Sequence, residues 1–286
     1  FTQHRPLLVS IAYRMLGSMA EAEDIVQDAY IRWQQTRTRV RIPRAFLVTT
    51  VSRLCINHLK SARIRREEYV GAWLPEPVTN ATLSTDPAVA DDSLSIAFLL
   101  LLERLTPVER AVFLLREVFD YEYDEIAGIL NHSEVSCRQI LRRARQHIAA
   151  NRPRFAPSRE ERADLLKRFL EASSRGDVDG LIALLHKDVV LYADSGGKTT
   201  AIPRPISGPE SVARFILRAP RKLLPVGLVR QVAEINGQPA IVSYRDGRPH
   251  SVFTVDVASG LIRNVFIMAN PDKLTHLSQS AGVSLS

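Results

Sequence analysis

Residues 123–150 read YDEIAGILNHSEVSCRQILRRARQHIAA, and the N-terminal half of the chain is organised around them. Tyr123 to Leu130 is apolar at helical spacing, Asn131-His132-Ser133 interrupts the pattern, and a basic helix is predicted from Glu134 to about Ala150. A short helix, a tight turn and a longer basic helix is the order of a helix-turn-helix. On the second helix Ile140, Leu141, Ala144 and Ile148 make an apolar stripe, while Arg138, Arg142 and Arg145 recur at i, i+4 and i+7 elsewhere. One face can pack while another meets phosphates and base edges, since arginine takes guanine bidentately and phosphate by charge. A basic helix buried in a helical bundle would carry the same stripe, so this segment alone admits both readings.

Upstream, the spacing of Leu7, Leu8, Ile11 and Met15, then of Ile25, Val26, Ala29 and Trp33, predicts two helices broken at Gly17-Ser18. Pro43 opens a third helix that ends in Lys60, Arg63, Arg65 and Arg66. Arg53 to Arg66 with Thr49, Thr50, Ser52, Asn57 and His58 suits unpaired or distorted DNA, or is a solvated cationic helix end. Glu21, Glu23, Asp24 and Asp28 would repel DNA and serve a protein partner or simple solvation. Gly71 to Pro87, with Pro75, Pro77 and Pro87, has no period and reads as a linker. Helix is predicted again from Asp91 to Leu105 and, past Thr106-Pro107, to about Asp120.

After a second linker at residues 151–158 the grammar changes. A helix from Ser158 to Ser174 leads through Gly176 and Gly180 into an alternating strand, Asp188 to Asp194, and Gly208-Pro209 opens a helix over Glu210 to Leu217. Four strands are predicted at Val226–Ile235, Pro239–Arg245, Pro249–Val257 and Leu261–Met268. Asn236-Gly237, Asp246-Gly247 and Ser259-Gly260 between them are hairpin signals. The C-terminal part is therefore expected to be α+β, helices on one side of an antiparallel meander.

Composition narrows the class. The 286 residues are 45% hydrophobic and 24% charged with a net charge of +7, which suits about two globular domains and excludes a disordered chain. Net charge is +6 over residues 1–70, −8 over 71–132, +5 over 133–154 and +4 over 155–286. Two basic zones flanking an acidic one suit contact with a polyanion at two places. Cys55 and Cys137 cannot form a disulfide framework or a zinc signature and are expected as reduced, buried thiols of a cytoplasmic protein. The longest apolar run, Ile96 to Leu102, is far short of a membrane span, and no metal site, cofactor motif or phosphate-binding loop of the GxxxxGK[ST] type is found.

These residues carry a resemblance. Arg5-Pro-Leu-Leu through Gly17 and Ala22-Glu-Asp-Ile-Val-Gln-Asp-Ala-Tyr-Ile-Arg-Trp33 resemble region two of bacterial sigma factors of the extracytoplasmic-function type. Leu105-Thr-Pro-Val-Glu-Arg-Ala-Val-Phe113, Tyr123-Asp-Glu-Ile-Ala127 and Arg138-Gln-Ile-Leu-Arg-Arg-Ala-Arg145 resemble region four. Trp73-Leu-Pro-Glu-Pro77, Asp194-Ser-Gly-Gly-Lys198 and Asn270-Pro-Asp-Lys-Leu274 are similar to signatures of the subgroup with a SnoaL-like C-terminal extension. The resemblance implies a multidomain chain. A region two bundle (1–70), a linker (71–90) and a region four helix-turn-helix (91–152), both sigma domains all-α, precede an α+β cystatin/NTF2-like (SnoaL-like) domain (158–286). It implies binding to core RNA polymerase and promoter DNA in a bacterial cytoplasm, no cofactor, no catalytic residue, and a monomer when free.

By the same resemblance Asp24, Gln27 and Asp28 dock on clamp helices of the polymerase largest subunit. Arg53, Asn57, Lys60 and Arg63 read and melt the downstream promoter element, Asn57 standing where the family more often has Asp. Ser136, Arg138, Gln139, Arg142, Arg143 and Arg145 face the upstream element. The loop Asp194, Gly196, Gly197, Lys198, with Ser195 where the family usually has glycine, and the tail Asn270, Pro271, Asp272, Lys273, Leu274 are expected to contact the linker Trp73, Leu74, Pro75, Glu76, Pro77 and the DNA-binding regions, fixing how regions two and four are spaced. A C-terminal cavity holding a small ligand is also expected, with Tyr192, Asp194, Tyr244, His250 and Asp256 as its polar groups. The rivals are a SnoaL-like ligand-binding or isomerase domain fused to a DNA-binding regulator, and a one-component repressor.

Overall fold

The computed structural model describes residues 1–36, 40–67, 69, 71–79, 91–149, 158–198, 202, 204–223, 227–277 and 284–285, with backbone only for 62–67, 91, 92, 149, 219–223, 284 and 285. Residues 80–90 and 150–157, which take in most of both expected linkers, lie outside that set, as do the side chain of Arg63 and the first residue of the strand expected from Val226. The chain packs as two compact units, residues 1–68 with 81–152 and residues 69–80 with 153–286.

The first unit is helical, and short-range chemistry sets its boundaries. Helix α1 (Arg5–Leu16) starts on Pro6 and ends at Gly17 in the left-handed conformation. Ser18 then caps α2 (Met19–Gln35), its hydroxyl accepting the Glu21 amide at 3.3 Å. Helix α3 (Pro43–Glu67) follows. All nine residues from Leu8 to Leu16 are buried, so α1 is the central rod of the bundle.

The helix expected from Asp91 is divided. A 3-10 turn (Asp91–Leu94) precedes α4 (Ile96–Leu102), because the Ser95 hydroxyl takes the Phe98 amide at 3.2 Å and restarts the helix. A Thr106–Glu109 capping box opens α5 (Pro107–Glu117), which stops three residues short of the boundary expected at about Asp120, itself left-handed at φ 53°. Helices α6 (Tyr123–Leu130) and α7 (Glu134–Ala149) are joined at Asn131, left-handed at φ 58°.

Buried arginines bind these segments together. Arg14, 1% exposed, donates to the hydroxyl of Ser10 and, at 3.2 Å, to that of Ser93, with its guanidinium 5.5 Å from the Phe119 ring centroid. Arg110 donates to the Met15 carbonyl and to Glu103, both at 2.7 Å. Cys55 and Cys137 are free and buried, and burial pushes the Cys55 thiol well above its usual range.

In the second unit Ser158 and Glu161 form the capping box of α8 (Arg159–Arg175). A short helix absent from the sequence reading, α9 (Val178–Leu184), begins where the Asp177 carboxylate accepts the Gly180 amide at 2.8 Å. The cap uses Gly180 itself, since a Cβ there would run into the Asp177 carboxylate. Strands β1 (Leu185–Asp194) and β2 (Ile206–Ser207) follow, then α10 (Pro209–Leu223), which continues through Pro220 beyond the expected end. The meander is β3 (Val229–Ile235), β4 (Gln238–Arg245), β5 (Arg248–Ala258) and β6 (Leu261–Met268), with β7 (Ser284–Leu285) on the edge. Its three turns are left-handed at both central residues, Asn236-Gly237, Asp246-Gly247 and Ser259-Gly260, as type I′ hairpins require.

The sheet order is β2-β1-β6-β5-β4-β3-β7, antiparallel except for parallel β1 and β6, a pairing that no hairpin signal announces. Leu191, Ile241, Val255 and Val265 pack with Leu165, Phe169, Leu181 and Val212 of the helices. Alternation then puts Tyr192, Asp194 and Tyr244 on the opposite face, which corrects the expectation that they line a cavity under the helices. Tyr192 stacks on Phe266 with centroids 5.8 Å apart. His250 and Asp256 make no acid/base pair. The charge acting on His250 is Arg245, and Asp256 accepts from Asn264 at 2.9 Å.

Candidate nucleic-acid interface

On α7 the expected division of faces is present. Cys137, Ile140, Leu141, Ala144 and Ile148 are buried, while Arg138, Gln139, Arg142, Arg143 and Arg145 are exposed and Ser136 is half-buried. The arginines are not equivalent. Arg138 pairs with Glu134 at 2.8 Å and lies 4.8 Å from the Tyr123 ring centroid. Arg145 pairs with Glu117 at 2.7 Å. Among the described residues Arg142 and Arg143 have no such partner and project free.

Arg53, Asn57 and Lys60 are exposed at i, i+4 and i+7 of α3, so one face of that helix carries all three. Arg53 donates to the carbonyls of Ile129 at 2.8 Å and Gly128 at 3.2 Å. A guanidinium at the carboxyl end of α6 satisfies carbonyls that the helix leaves open and complements its negative pole. Asp24, Gln27 and Asp28 are exposed together at i, i+3 and i+4 of α2, whose apolar residues Ile25, Val26 and Ala29 are buried.

A second cluster lies wholly within the C-terminal unit and gathers the three expected regulatory segments. Asp194, 1% exposed at the end of β1, accepts hydrogen bonds from the Tyr69 hydroxyl (2.6 Å), the Gly196 amide (3.1 Å), the Leu74 amide (2.9 Å) and the Lys273 ammonium (2.7 Å). Lys273 also donates to the Leu74 carbonyl at 2.5 Å and sits 4.3 Å from the Trp73 ring centroid and 5.2 Å from that of Tyr69. Asn270 donates to the Tyr69 hydroxyl at 2.9 Å and caps the 3-10 turn of Pro271–Lys273 through the Asp272 amide at 3.1 Å. Burial, then the hydrogen bond to Asp194, raises the Tyr69 phenol far above its usual range, so it remains a donor at neutral pH.

The remaining expected residues extend the cluster. Leu74, Pro75, Glu76, Pro77 and Leu274 are buried, and Glu76 faces His276 at 3.1 Å. Lys198 and Asp272, both exposed, pair at 2.5 Å. Gly196 and Gly197 are left-handed at φ 59° and 71° and turn the loop back over Asn270. At the far end of the connector the Val78 amide donates to the Asn236 side chain at 3.1 Å, and its carbonyl accepts the Asn236 amide at 2.8 Å. Sequence reasoning missed Tyr69, Asn236 and His276. Tyr69, four residues before Trp73, carried no signal beyond an aromatic beside a proline-rich segment.

The Sigma-70 region 2 family matches residues 1–64, and the Sigma-70 region 4 family matches residues 95–148. The ECF RNA polymerase sigma factor SigJ of Mycobacterium tuberculosis is 38% identical over 96% of this chain and 92% of its own. The chain belongs to the ECF sigma factors. Another relative, the probable ECF sigma factor SigI of Mycobacterium tuberculosis, is 33% identical over 98% of this chain and 95% of its own. The crystal structure of Mycobacterium tuberculosis SigJ matches with a TM-score of 0.76 at 34% identity, covering 95% of this chain and 96% of that one. As an ECF sigma factor the chain binds core RNA polymerase and promoter DNA and directs promoter-specific initiation without being an enzyme. Its helical sigma domains precede a SnoaL-like α+β domain, and no helix among the described residues is long and apolar enough to cross a membrane.

Proposed function

We propose that the SnoaL-like domain of this ECF sigma factor regulates promoter-specific initiation by clasping the connector between its two sigma regions. The observation that carries this reading is the Asp194 carboxylate, buried and hydrogen-bonded at once to the connector at Tyr69 and Leu74 and to the tail at Lys273. A connector fully extended over residues 68–90 would span up to roughly 80 Å, and holding 69–79 in the clasp withdraws up to roughly 40 Å of that reach. The clasp thereby limits how far regions two and four separate along a promoter.

In this reading Asp24, Gln27 and Asp28 meet the polymerase, the face of Arg53, Asn57, Lys60 and Arg63 meets the downstream element, and α7 meets the upstream element. Arg142 and Arg143, exposed and without an ion-pair partner among the described residues, support the last assignment, since such arginines meet DNA at no cost in broken ion pairs. Arg53 must exchange two helix-end carbonyls for DNA, so its contribution is smaller than that of a free arginine.

The test is run-off transcription by core RNA polymerase from the promoter of the protein's own gene, comparing the intact chain with its Asp194→Ala and Lys273→Ala variants. Both variants should change transcript yield in the same direction, and that direction gives the sign of control. Unchanged yield from both would refute the clasp. Point variants suit this better than truncation after residue 154, which would strip the cover from Leu74 and Val78, 0% and 1% exposed in the intact chain.

A further inference from the structure

The buried residues of α7, Cys137, Ile140, Leu141, Ala144 and Ile148, define one direction around the helix axis. At 100° per residue the line diametrically opposite runs through Val135, Gln139, Arg142 and Gln146, all exposed. Arg138 and Arg145 lie to one side of it and are held there, by Glu134 and the Tyr123 ring and by Glu117. The outermost stripe thus begins with an apolar side chain and continues as amide, guanidinium and amide. An exposed valine alone is ordinary. Val135, however, is 62% exposed in the first turn of the second helix of a helix-turn-helix, the turn that enters the major groove most deeply.

A side chain without polar atoms can favour only one feature of the major-groove edge, the C5-methyl group of thymine. An amide pairs with adenine N6 and N7, and a guanidinium with guanine O6 and N7. Four arginines against one glutamate on α7 supply the attraction to phosphate that brings the stripe to the duplex. We infer that Val135, Gln139, Arg142 and Gln146 form the base-reading edge of this sigma factor, and that Val135 determines specificity by packing on the methyl group of a thymine in the upstream promoter element. Gln139 and Arg142 take adenine and guanine further along the groove, while Arg138 and Arg145 serve the phosphates. The inference rests on the reading of α7 as the upstream-element reader.

The holoenzyme formed from the full chain is run on a promoter library randomised over the upstream element. The selected element is then resynthesised with deoxyuridine at each thymine in turn, which removes the methyl group and nothing else. Wild type should lose about fourfold in transcript at one thymine, the effect of one buried methyl group. Val135→Ala and Val135→Ser should be indifferent to that replacement, with unchanged thermal unfolding because the side chain is exposed. An element without thymine, a wild type indifferent at every thymine, or a fourfold effect kept in both variants overturns the role of Val135. If Gln139→Ala and Arg142→Ala also select and transcribe the library as wild type does, the reading of α7 itself falls.

Discussion

Replacing Asp194 by alanine tests the strongest physical claim about the C-terminal unit. The carboxylate is 1% exposed and accepts four hydrogen bonds, so its loss leaves the Lys273 ammonium buried without its counter-ion and the Leu74 amide and Tyr69 hydroxyl without their acceptor. Each charge-assisted bond is worth about 1.5–3 kcal/mol, but the four share one group and do not add. Breaking a buried pair from one side costs about 3–5 kcal/mol in total. A unit of this size moves by about 2–4 °C in Tm per kcal/mol, so its transition in differential scanning calorimetry of the full chain should fall by roughly 10 °C. Lys273→Met on the Asp194→Ala background should recover part of the loss, because the orphaned charge is gone, and the cycle should report a coupling of about 2 kcal/mol or more. A fall below about 2 °C for Asp194→Ala, or strict additivity in the cycle, would show that the pair is solvated and does not hold the connector.

Two further substitutions address backbone and pH. Gly196→Ala puts a Cβ into the Asn270 amide at a residue with φ 59°, so the left-handed backbone alone should cost about 1–2 kcal/mol in urea unfolding, with the loss of the Asn270–Tyr69 bond added to it. Burial raises the Asp256 carboxyl above its ordinary value of 3.8 despite the Asn264 hydrogen bond. A carboxyl whose folded pKa is raised opposes folding once it is ionised and ceases to do so as pH falls through that pKa. Asp256→Asn should therefore raise Tm at pH 7, with the difference shrinking as pH falls toward 3.8, whereas lower stability of the variant at pH 7 would refute the sign.

Much of the secondary structure was legible because it is decided within a few residues. Pro6 and Pro43 open helices where a missing amide costs nothing, Ser18 and the Thr106–Glu109 box satisfy first-turn amides, and the Asn-Gly, Asp-Gly and Ser-Gly pairs adopt the left-handed turns they favour. The alternation of arginine and apolar residues on α7 gave both of its faces for the same reason, since helical periodicity is a local property. The motifs at Trp73–Pro77, Asp194–Lys198 and Asn270–Leu274 were legible only through resemblance, as three separate strings.

Nothing local in Trp73–Pro77, Asp194–Lys198 or Asn270–Leu274 announces that one carboxylate joins them across 120 residues of chain to Leu74 and 79 to Lys273. Lysine reads as surface from sequence, yet Lys273 is 9% exposed because its ammonium finds Asp194, the Leu74 carbonyl and two aromatic faces after folding. The parallel pairing of β1 with β6, the turning of Tyr192 and Tyr244 away from the helices, and the engagement of Arg53 by α6 were equally closed to sequence reasoning. Dihedral preference and capping act over one turn of chain. Which polar group is buried, and by what it is satisfied, depends on surfaces that only the complete packing brings together.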